Sequence, residues 1–426
     1  MNPTPAFQFP DLQQAIDDGI NRHRKGQASI LLTDAKGHAL PGVDIEIEQV
    51  ESEFLFGANL FMLNGYDSSE KNNRYEEAYT RLFNAATVPL YWKELEPQPG
   101  KLRFSTESCK IARRPPPDLV VDFCESYNLN MNGHTLSWNN CTHSIPNWLH
   151  STADSAILKR RIDEITERYG EKIQRWDVVN EPSLRHIYPE IHYHPMEEDY
   201  ERLSLEWAAA SLPDSAHLMI NEAPGGVWIP ENRKHLHRLI RSLQAQNTPL
   251  NGIGMQFHLF DQQGMQNFLS GEKLPPQTLL AAMDSFQEFG LPLHISEITL
   301  HSLRNDRAGQ AAQAASACDL YRLCFSHPSV HAITWWNVPD GGAVFGEDEL
   351  FSGLLDKDLN PKPAYEALHD LIHNQWRTKV RTTTHPDGTC LMEGFYGDYT
   401  LKAGNKRYPF RLSSIDPNEL IHLCID

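Results

Sequence analysis

The segments Arg175-Trp176-Asp177-Val178-Val179-Asn180-Glu181 and Leu291-Pro292-Leu293-His294-Ile295-Ser296-Glu297 decide the fold of this chain. Each is a short, mainly apolar run that ends at a glutamate. This pattern is typical of a buried parallel strand that delivers an acid to one edge of a sheet. Two such acids that face each other are the minimum equipment for hydrolysis of a glycosidic bond. The two segments therefore predict a parallel sheet with a pair of carboxylates at its edge.

Further apolar runs alternate with helical stretches around these two segments. The eight predicted strands lie near residues 54–60, 85–91, 129–136, 174–180, 217–221, 252–260, 291–298 and 331–337. Helical patterns between them include residues 154–169, 232–246, 277–289 and 309–325. This repetition predicts the α/β class and a (β/α)8 TIM barrel, in which catalytic groups lie at the carboxyl ends of the strands.

Both ends of the chain carry strand patterns of period two. Residues 28–50 alternate around a turn that contains Asp34 and Gly37, which predicts a β-hairpin, and residues 376–426 are similar. A lone hairpin is marginal in water, so we expect the two ends to form one small accessory β module. The predicted division is an N-terminal segment 1–52, a catalytic barrel 53–375 and a C-terminal segment 376–426.

The composition is that of a globular protein, and the net charge limits the classes of partner that it can bind. The chain has 426 residues, of which 40% are hydrophobic and 22% charged. A net charge of −18 argues against nucleic acid or an anionic membrane as partner and is compatible with a neutral carbohydrate substrate. No signal peptide and no run of 18 or more apolar residues is visible. We expect a cytoplasmic location, or a secreted one if a leader has been removed.

No metal or cofactor is predicted. The seven cysteines are scattered and form no C-x-x-C pair, which fits reduced thiols better than a disulfide framework or a zinc site. Cys390 and Cys424 could meet in the terminal module. His192 and His194 form an H-x-H pair without a third ligand, so a loop contact with substrate or plain exposure is expected.

Polar and aromatic side chains accompany the two glutamates at the predicted strand ends. Tryptophan faces stack on pyranose rings, whereas histidine and amide side chains bind sugar hydroxyls. A single glutamate at a strand end could instead cap a helix or form a surface ion pair. His134 or His258 could instead be an ordinary core histidine. The candidate sugar contacts are His134, Trp138, Asn180, Gln256, His258, Trp336 and Asp340.

In their order and spacing these motifs resemble glycoside hydrolase family 10, in which endo-β-1,4-xylanases dominate. The resemblance covers about residues 54–372 and includes Trp92…Glu96-Pro97, Gly133–Trp138, Trp176–Pro182, Asn221-Glu222, Gly252–Leu259, Ile295-Ser296-Glu297, Trp336…Asp340 and Pro361–Tyr365. It implies net retention through a glycosyl-enzyme intermediate, with Glu181 as acid/base and Glu297 as nucleophile. It also implies that His134, Trp138, Asn180, Gln256, His258 and Trp336 line the sugar subsite next to the cleaved bond.

The chain departs from the family pattern beside that subsite. Where the family usually carries an Asn-x-Met-Lys-Trp-like stretch, this chain has Val88-Pro89-Leu90-Tyr91-Trp92, with Tyr91 in place of the lysine. Asn139 stands where a histidine is usual, and Thr299 where an acid is usual. An aromatic residue usual after Asp340 is replaced by Ala343-Val344. We expect the reaction-centre subsite to be retained and the second glycone subsite, with Tyr91 and Asn139, to be rebuilt.

Three alternatives stay open at this point. One is an exo-acting or specialised β-glycosidase for a plant glycoside other than xylan. Another is a non-catalytic carbohydrate-binding barrel, although a binding protein has no need for both Glu181 and Glu297. A third concerns the terminal aromatic residues, which either stack on polysaccharide or, as we favour, pack the module against the barrel. These residues are Trp376, Phe395, Tyr396 and Tyr399.

Overall fold

A computed structural model describes residues 2–149, 155–191, 193, 196–344, 347, 350–415 and 420–425. Its strands are β1 (Lys25–Thr33), β2 (Asp44–Ser52), β3 (Leu55–Asn59), β4 (Ala85–Pro89), β5 (Asn130–Trp138), β6 (Arg175–Asn180), β7 (His217–Glu222), β8 (Gly252–His258), β9 (Leu293–Thr299), β10 (Val330–Trp335), β11 (Lys379–Thr383), β12 (Thr389–Phe395), β13 (Gly397–Ala403), β14 (Lys406–Leu412) and β15 (Leu420–Cys424). Its helices are α1 (Pro10–Arg24), α2 (Ser69–Leu82), α3 (Trp92–Leu95), α4 (Pro117–Ser126), α5 (Ser155–Tyr169), α6 (Leu184–Ile187), α7 (Tyr200–Ser211), α8 (Pro224–Val227), α9 (Pro230–Ala245), α10 (Gln262–Ser270), α11 (Pro276–Asp284), α12 (Arg307–Ser326) and α13 (Pro363–Asp370).

Strands β3 to β10 form a closed parallel barrel in sequence order, and β10 closes it by pairing with β3. The predicted (β/α)8 barrel is confirmed. The strands are buried almost along their whole length, as is usual where helices cover a parallel sheet. No helix of the described residues is long and apolar enough to cross a membrane.

The helices follow from local sequence signals. In α9, Pro230 occupies the first turn, where its missing N–H costs nothing, and Leu236, Ile240 and Leu243 form one buried stripe. Helix α12 begins after Asp306, whose carboxylate accepts the N–H of Gly309 at 2.8 Å. The predicted helix 277–289 is shorter, since α11 ends at Asp284 and a 3-10 turn follows.

Irregular register between neighbouring strands aims side chains at the carboxyl end of the barrel. Strands β8 and β9 shift register between Gly254 and Gln256, so that Gln256 lies opposite Glu297. A similar shift between β6 and β7 follows Asp177. Such irregularities re-aim side chains and are common next to functional sites. Here they bring polar groups of several strands to one end of the barrel.

The terminal segments form two facing sheets outside the barrel, with strand orders β12-β1-β15 and β11-β2-β13-β14. The predicted hairpin of residues 28–50 is wrong, because β1 and β2 belong to different sheets. The turn between them starts as expected, with Asp34 N–H donating to His38, but the chain then crosses to the other sheet. Burial explains the difference. The apolar faces of β1 and β2 pack against each other from two opposing sheets, with Ile30 and Ile47 in the core between them, whereas in a hairpin both strands would need a further layer to cover their apolar face.

Cys390 and Cys424 do not meet. Both thiols are free, and their strands flank β1 on opposite sides, with Cys390 opposite Ile30 and Cys424 opposite Thr33. Two inter-strand spacings separate such positions by about 10 Å, which is beyond the reach of a disulfide.

Aromatic residues pack the module and the barrel together. Trp376 is 6% exposed, stacks on Phe325 with ring centroids 4.1 Å apart, and reaches Phe56 at 5.7 Å. Phe395 is also buried, and Tyr399 donates its hydroxyl hydrogen to the Phe395 carbonyl at 2.5 Å. Trp376 and Phe395 lie in the core of the barrel and fit the favoured packing role, whereas Tyr399 lies in the core of the module itself. Tyr396 is half-buried.

Helix α1 reinforces this junction. It packs on α12, and Arg24 at its end donates to the carbonyls of Phe325 at 2.5 Å, His327 at 2.5 Å and Val330 at 2.7 Å. The Arg24 guanidinium also lies 4.8 Å from the ring of Phe54. A buried guanidinium that binds three carbonyls fixes the start of β1 to the barrel.

Candidate active site

Glu181 follows β6 in a tight turn at the carboxyl end of the barrel. Its φ of 52° is a left-handed conformation that few residues other than glycine adopt, and the turn must be held by its surroundings. Glu181 N–H donates to the Asn221 carbonyl at 2.7 Å. The Glu222 carboxylate accepts the N–H groups of Ser183 at 3.0 Å and Ala223 at 2.9 Å. Glu222 thus clamps the turn that presents Glu181.

The carboxylate of Glu181 accepts two hydrogen bonds. The Trp138 indole N–H donates to Oε2 at 3.0 Å, and the Gln256 amide donates to Oε1 at 3.0 Å. These donors come from β5 and β8, on either side of the barrel mouth. They fix the carboxyl plane from two directions, and two of the predicted sugar contacts are thereby brought next to one of the predicted acids.

Glu297, on β9, is held by two other side chains. The Asn221 amide donates to Oε1 at 2.7 Å, and His258 Nε2 lies 3.1 Å from Oε2. His258 Nδ1 lies 2.8 Å from the Thr299 hydroxyl. A hydroxyl can donate to Nδ1, which leaves the proton on Nε2 to be donated to Glu297. The histidine that supports Glu297 therefore rests on a neutral hydroxyl group.

Asn221 is the centre of this network, although the sequence analysis did not select it as a site residue. The side-chain nitrogen of Asn221 also donates to Asn180 Oδ1 at 2.9 Å, and its side-chain oxygen Oδ1 accepts the Ser296 hydroxyl at 2.5 Å. One side chain therefore links β6, β7 and β9. Its position at the end of a predicted strand, in the Asn221-Glu222 motif, is the signal that could have identified it.

Burial changes the proton affinity of these groups. Burial and, after it, the nearby charge of Glu297 together raise the pKa of Glu181 to about 7. Burial also raises the pKa of Glu297 and of Glu222, the latter to about 7, and lowers the pKa of His258 to about 4. Two buried carboxyls that repel each other retain a proton near neutral pH. The pair can then present one acid and one carboxylate.

His134 lies between the network and the aromatic side of the site. Its Nδ1 is 2.8 Å from Asp177 Oδ2, which also accepts the Asn132 amide at 2.9 Å. The His134 ring meets Tyr91 and Trp336 edge-on, with centroids 5.3 and 5.5 Å apart. The Asp177 bond leaves Nε2 of His134 available for a ligand.

A layer of aromatic rings and one arginine lies beside His134. The Arg114 guanidinium is 3.7 Å from the centroid of the Tyr91 ring and 5.1 Å from that of Phe61. Phe61 in turn meets Trp336 at 5.2 Å. We call Phe61, Tyr91 and Arg114 the aromatic–arginine wall. Within the described residues the Tyr91 hydroxyl has no hydrogen-bond partner.

Arg103 holds the loop that carries Arg114. It is 5% exposed and donates to the carbonyls of Glu94 at 2.9 Å, Cys109 at 2.5 Å and Arg114 at 3.2 Å. These three hydrogen bonds tie the loop to the buried guanidinium. The sequence analysis selected Tyr91 but neither Phe61 nor Arg114, because the loop that carries Arg114 has no periodic pattern.

The remaining predicted residues differ in their surroundings. Trp336 directly follows β10 and is 6% exposed, and Asn139 follows β5 and is buried. Both Asp340 oxygens lie 3.1 Å from Lys362 Nζ, and Oδ1 also accepts the Gly353 N–H at 2.8 Å. This buried pair fixes the loop after β10. The predicted sugar contact of Asp340 stays a prediction.

The described residues contain no group of three or more His, Cys, Asp or Glu side chains that could hold a metal ion. His192 and His194 lie outside the described residues. What the site does hold is a pair of buried carboxyls beside histidine, amide and indole groups. One carboxyl can protonate a leaving oxygen, and the other can attack the anomeric carbon or activate a water molecule that does so. This is the chemistry of glycoside hydrolysis.

Comparison with known proteins identifies the family. Residues 50–371 match the family described as Glycosyl hydrolase family 10. Endo-1,4-beta-xylanase B of Thermotoga neapolitana is 25% identical over 74% of this chain and 88% of its own length. The Beta-1,4-xylanase of Dictyoglomus thermophilum is 26% identical over 79% of this chain and 92% of its own. Xylanase 10B from Thermotoga petrophila RKU-1, solved with xylobiose, superposes with a TM-score of 0.59 at 22% identity, over 76% of this chain and 95% of that chain.

The fold and the site define a retaining glycoside hydrolase. The chain belongs to glycosyl hydrolase family 10.

Proposed function

We propose that this protein hydrolyses β-1,4-xylosidic bonds in xylan-derived oligosaccharides. The observation that carries the proposal is the pair of buried carboxyls, each held by two side-chain donors, in a chain whose relatives are xylanases. A neutral sugar also suits the strongly acidic chain.

In the proposed reaction, Glu297 attacks the anomeric carbon while Glu181 donates its proton to the leaving oxygen. A covalent glycosyl-enzyme forms, and Glu181 then takes a proton from the water that hydrolyses it. Burial raises the pKa of Glu181 to about 7 and that of Glu297 to about 8, so the pair keeps a proton near neutral pH. The hydrogen bonds from Asn221 and His258 to Glu297 favour its ionised form and leave the proton to Glu181. Once Glu297 has lost its charge to the covalent bond, the pKa of Glu181 falls, which suits its second role as a base.

Substitution of each glutamate tests the roles separately. Glu297→Ala is expected to lose turnover by several orders of magnitude, and azide is expected to restore it with formation of an α-glycosyl azide. Glu181→Ala is expected to retain much more activity on aryl glycosides with good leaving groups than on oligosaccharides, since those need no acid. Undiminished turnover in Glu297→Ala, or equal losses on both substrate types in Glu181→Ala, would overturn the assignment.

We further propose that the aromatic–arginine wall forms the second glycone subsite, where the family usually places polar groups. Tyr91 offers its hydroxyl and ring edge there, and Arg114 holds the ring in place. A site that replaces polar partners by rings changes discrimination between sugars, because hydrogen bonds to the sugar are lost.

The product profile from xylohexaose tests the substrate and the mode of action together. Mass spectrometry over time is expected to show xylobiose, xylotriose and xylotetraose, the products of cleavage within the chain. Arg114→Ala is expected to alter this distribution while activity on an aryl monosaccharide glycoside stays unchanged. Absence of cleavage in the wild-type protein would refute the proposed substrate, and release of single units alone would refute cleavage within the chain.

A further inference from the structure

A second cavity lies at the opposite end of the barrel, where the strands begin. It has a volume of about 430 Å³ and opens between the starts of β6, β7, β9 and β10. Its lining includes Arg175, His217, His294 and His331. These are four groups that carry or can acquire positive charge, in a chain whose overall charge is −18. None of them takes part in the proposed hydrolysis.

Arg175 is the unusual member of this cluster. It is only 6% exposed, and its guanidinium makes no hydrogen bond with any side chain or carbonyl among the described residues. Burial lowers the pKa of Arg175 to about 10, so the group stays charged at neutral pH. Asp177 is the acid that acts on it, but one oxygen of that carboxylate is taken by His134 and Asn132. A buried, unpartnered cation is unfavourable unless something compensates it.

Three histidines surround this cation. His294 is buried, and its pKa is lowered by desolvation and then by the charges of Arg175, His331 and His217. His217 and His331 reach solvent at the rim, and their pKa values are lowered by desolvation and by Arg175 and Arg24, respectively. The lowered pKa values leave the three histidines neutral at neutral pH, where a ring N–H can still donate a hydrogen bond. Arg175 is thus the permanent cation among these four groups, and it would gain from a negative partner.

Two acids also face the cavity and could supply that partner. Glu53 raises the pKa of His331, but its carboxylate is bound by Arg411 at 3.1 Å and by the Ser414 hydroxyl. Glu171 lies on the exposed rim. Neither makes a hydrogen bond or an ion pair with Arg175 within the described part of the chain. Arg175 therefore has no carboxylate partner among the described residues that line the cavity.

We propose that this cavity is a binding site for a small oxyanion, with inorganic phosphate as the defining chemistry. The planar guanidinium of Arg175 can bind two oxygens at once, and His294 and His217 can donate to the others. A ligand that binds only the folded barrel stabilises it in proportion to the logarithm of its concentration. The site is separate from the hydrolytic centre, so its test needs no turnover.

Isothermal titration calorimetry with sodium phosphate, at ionic strength held constant with sodium chloride, measures the binding directly. We expect saturable binding of about one phosphate per chain, because the Arg175 guanidinium is the one permanent cation of the cluster. Thermal unfolding at about 10 mM phosphate should show a matching rise in Tm over chloride alone.

Variants locate the site. Arg175→Met and His217→Gln are each expected to weaken phosphate binding at least tenfold. His385→Gln, a change at an exposed histidine in the accessory module, is the matched control and should bind like the wild type. His217 is exposed at the rim, so its substitution keeps the test valid even if Arg175→Met does not fold. Absence of saturable binding to the wild-type protein, or binding that His217→Gln leaves unchanged, overturns the proposal.

Discussion

Replacement of Thr299 by aspartate should turn His258 into a cation. The Thr299 hydroxyl lies 2.8 Å from His258 Nδ1, and burial lowers the pKa of this histidine to about 4. A carboxylate in the same place would lie about 4 Å from the ring charge. At an effective dielectric constant of about 20 the attraction is about 4 kcal/mol, or about 3 pKa units. The expected pKa of His258 in Thr299→Asp is therefore about 7.

The change should also reach the catalytic carboxyl. His258 Nε2 lies 3.1 Å from Glu297, so an imidazolium there lowers the pKa of Glu297. If ionised Glu297 is the nucleophile, the acidic limb of kcat/KM should move to lower pH in Thr299→Asp.

NMR of selectively labelled histidine, with a His258 variant for assignment, follows the ring titration directly. Thr299→Asn is the matched control, because it keeps a polar side chain of the same shape without the charge. Its His258 is expected to titrate as in the wild type. The electrostatic reasoning fails if His258 in Thr299→Asp still titrates below about pH 5, or if Thr299→Asn shifts it equally.

Two further substitutions test the groups that position the carboxyls. Asn221→Ala removes the donor to Glu297 and is expected to lower kcat about 10- to 150-fold with little change in KM, as loss of a hydrogen bond to a charged group implies; an unchanged kcat would contradict this. Glu222→Gln removes one of two acceptors from the turn at Glu181, so steady-state rates should fall more on oligosaccharides than on activated aryl glycosides. The pKa of Glu222 is raised from 4.5 to about 7 in the folded protein, so its contribution lowers the free energy of unfolding as the pH rises from about 4.5 to about 7. Glu222→Gln removes this contribution, and its Tm should fall less than that of the wild type over the same pH range.

The barrel and the core of the site were accessible from sequence because they follow local rules. A buried strand is an apolar run, and its last residue marks the carboxyl edge, so Glu181 and Glu297 could be placed at the same end of the barrel without coordinates. The same rule covers His134, Gln256 and His258. The roles of these residues remain proposals until the substitutions are made.

What could not be read from the sequence depends on contacts between distant segments. Arg114 reaches Tyr91 only because Arg103 binds three carbonyls of an irregular loop. Asn221 gains its importance from two strands that are remote in sequence. The pairing of β1 and β2 in separate sheets was missed because a turn signal does not say whether the chain folds back or crosses over. The boundaries 53 and 375 likewise remain a prediction.

The stacking of Trp376 on Phe325 and Phe56 has a practical consequence for anyone who trims this chain. The family match ends at residue 371, so a fragment cut to the catalytic family would lack Trp376, Arg24 and Phe395. It would leave Phe54, Phe56 and Phe325 bare on its outer wall, and a patch of that kind promotes aggregation. The terminal segments cover apolar surface of the barrel. Expression of the catalytic barrel therefore calls for the whole sequence and not for the family-matched part alone.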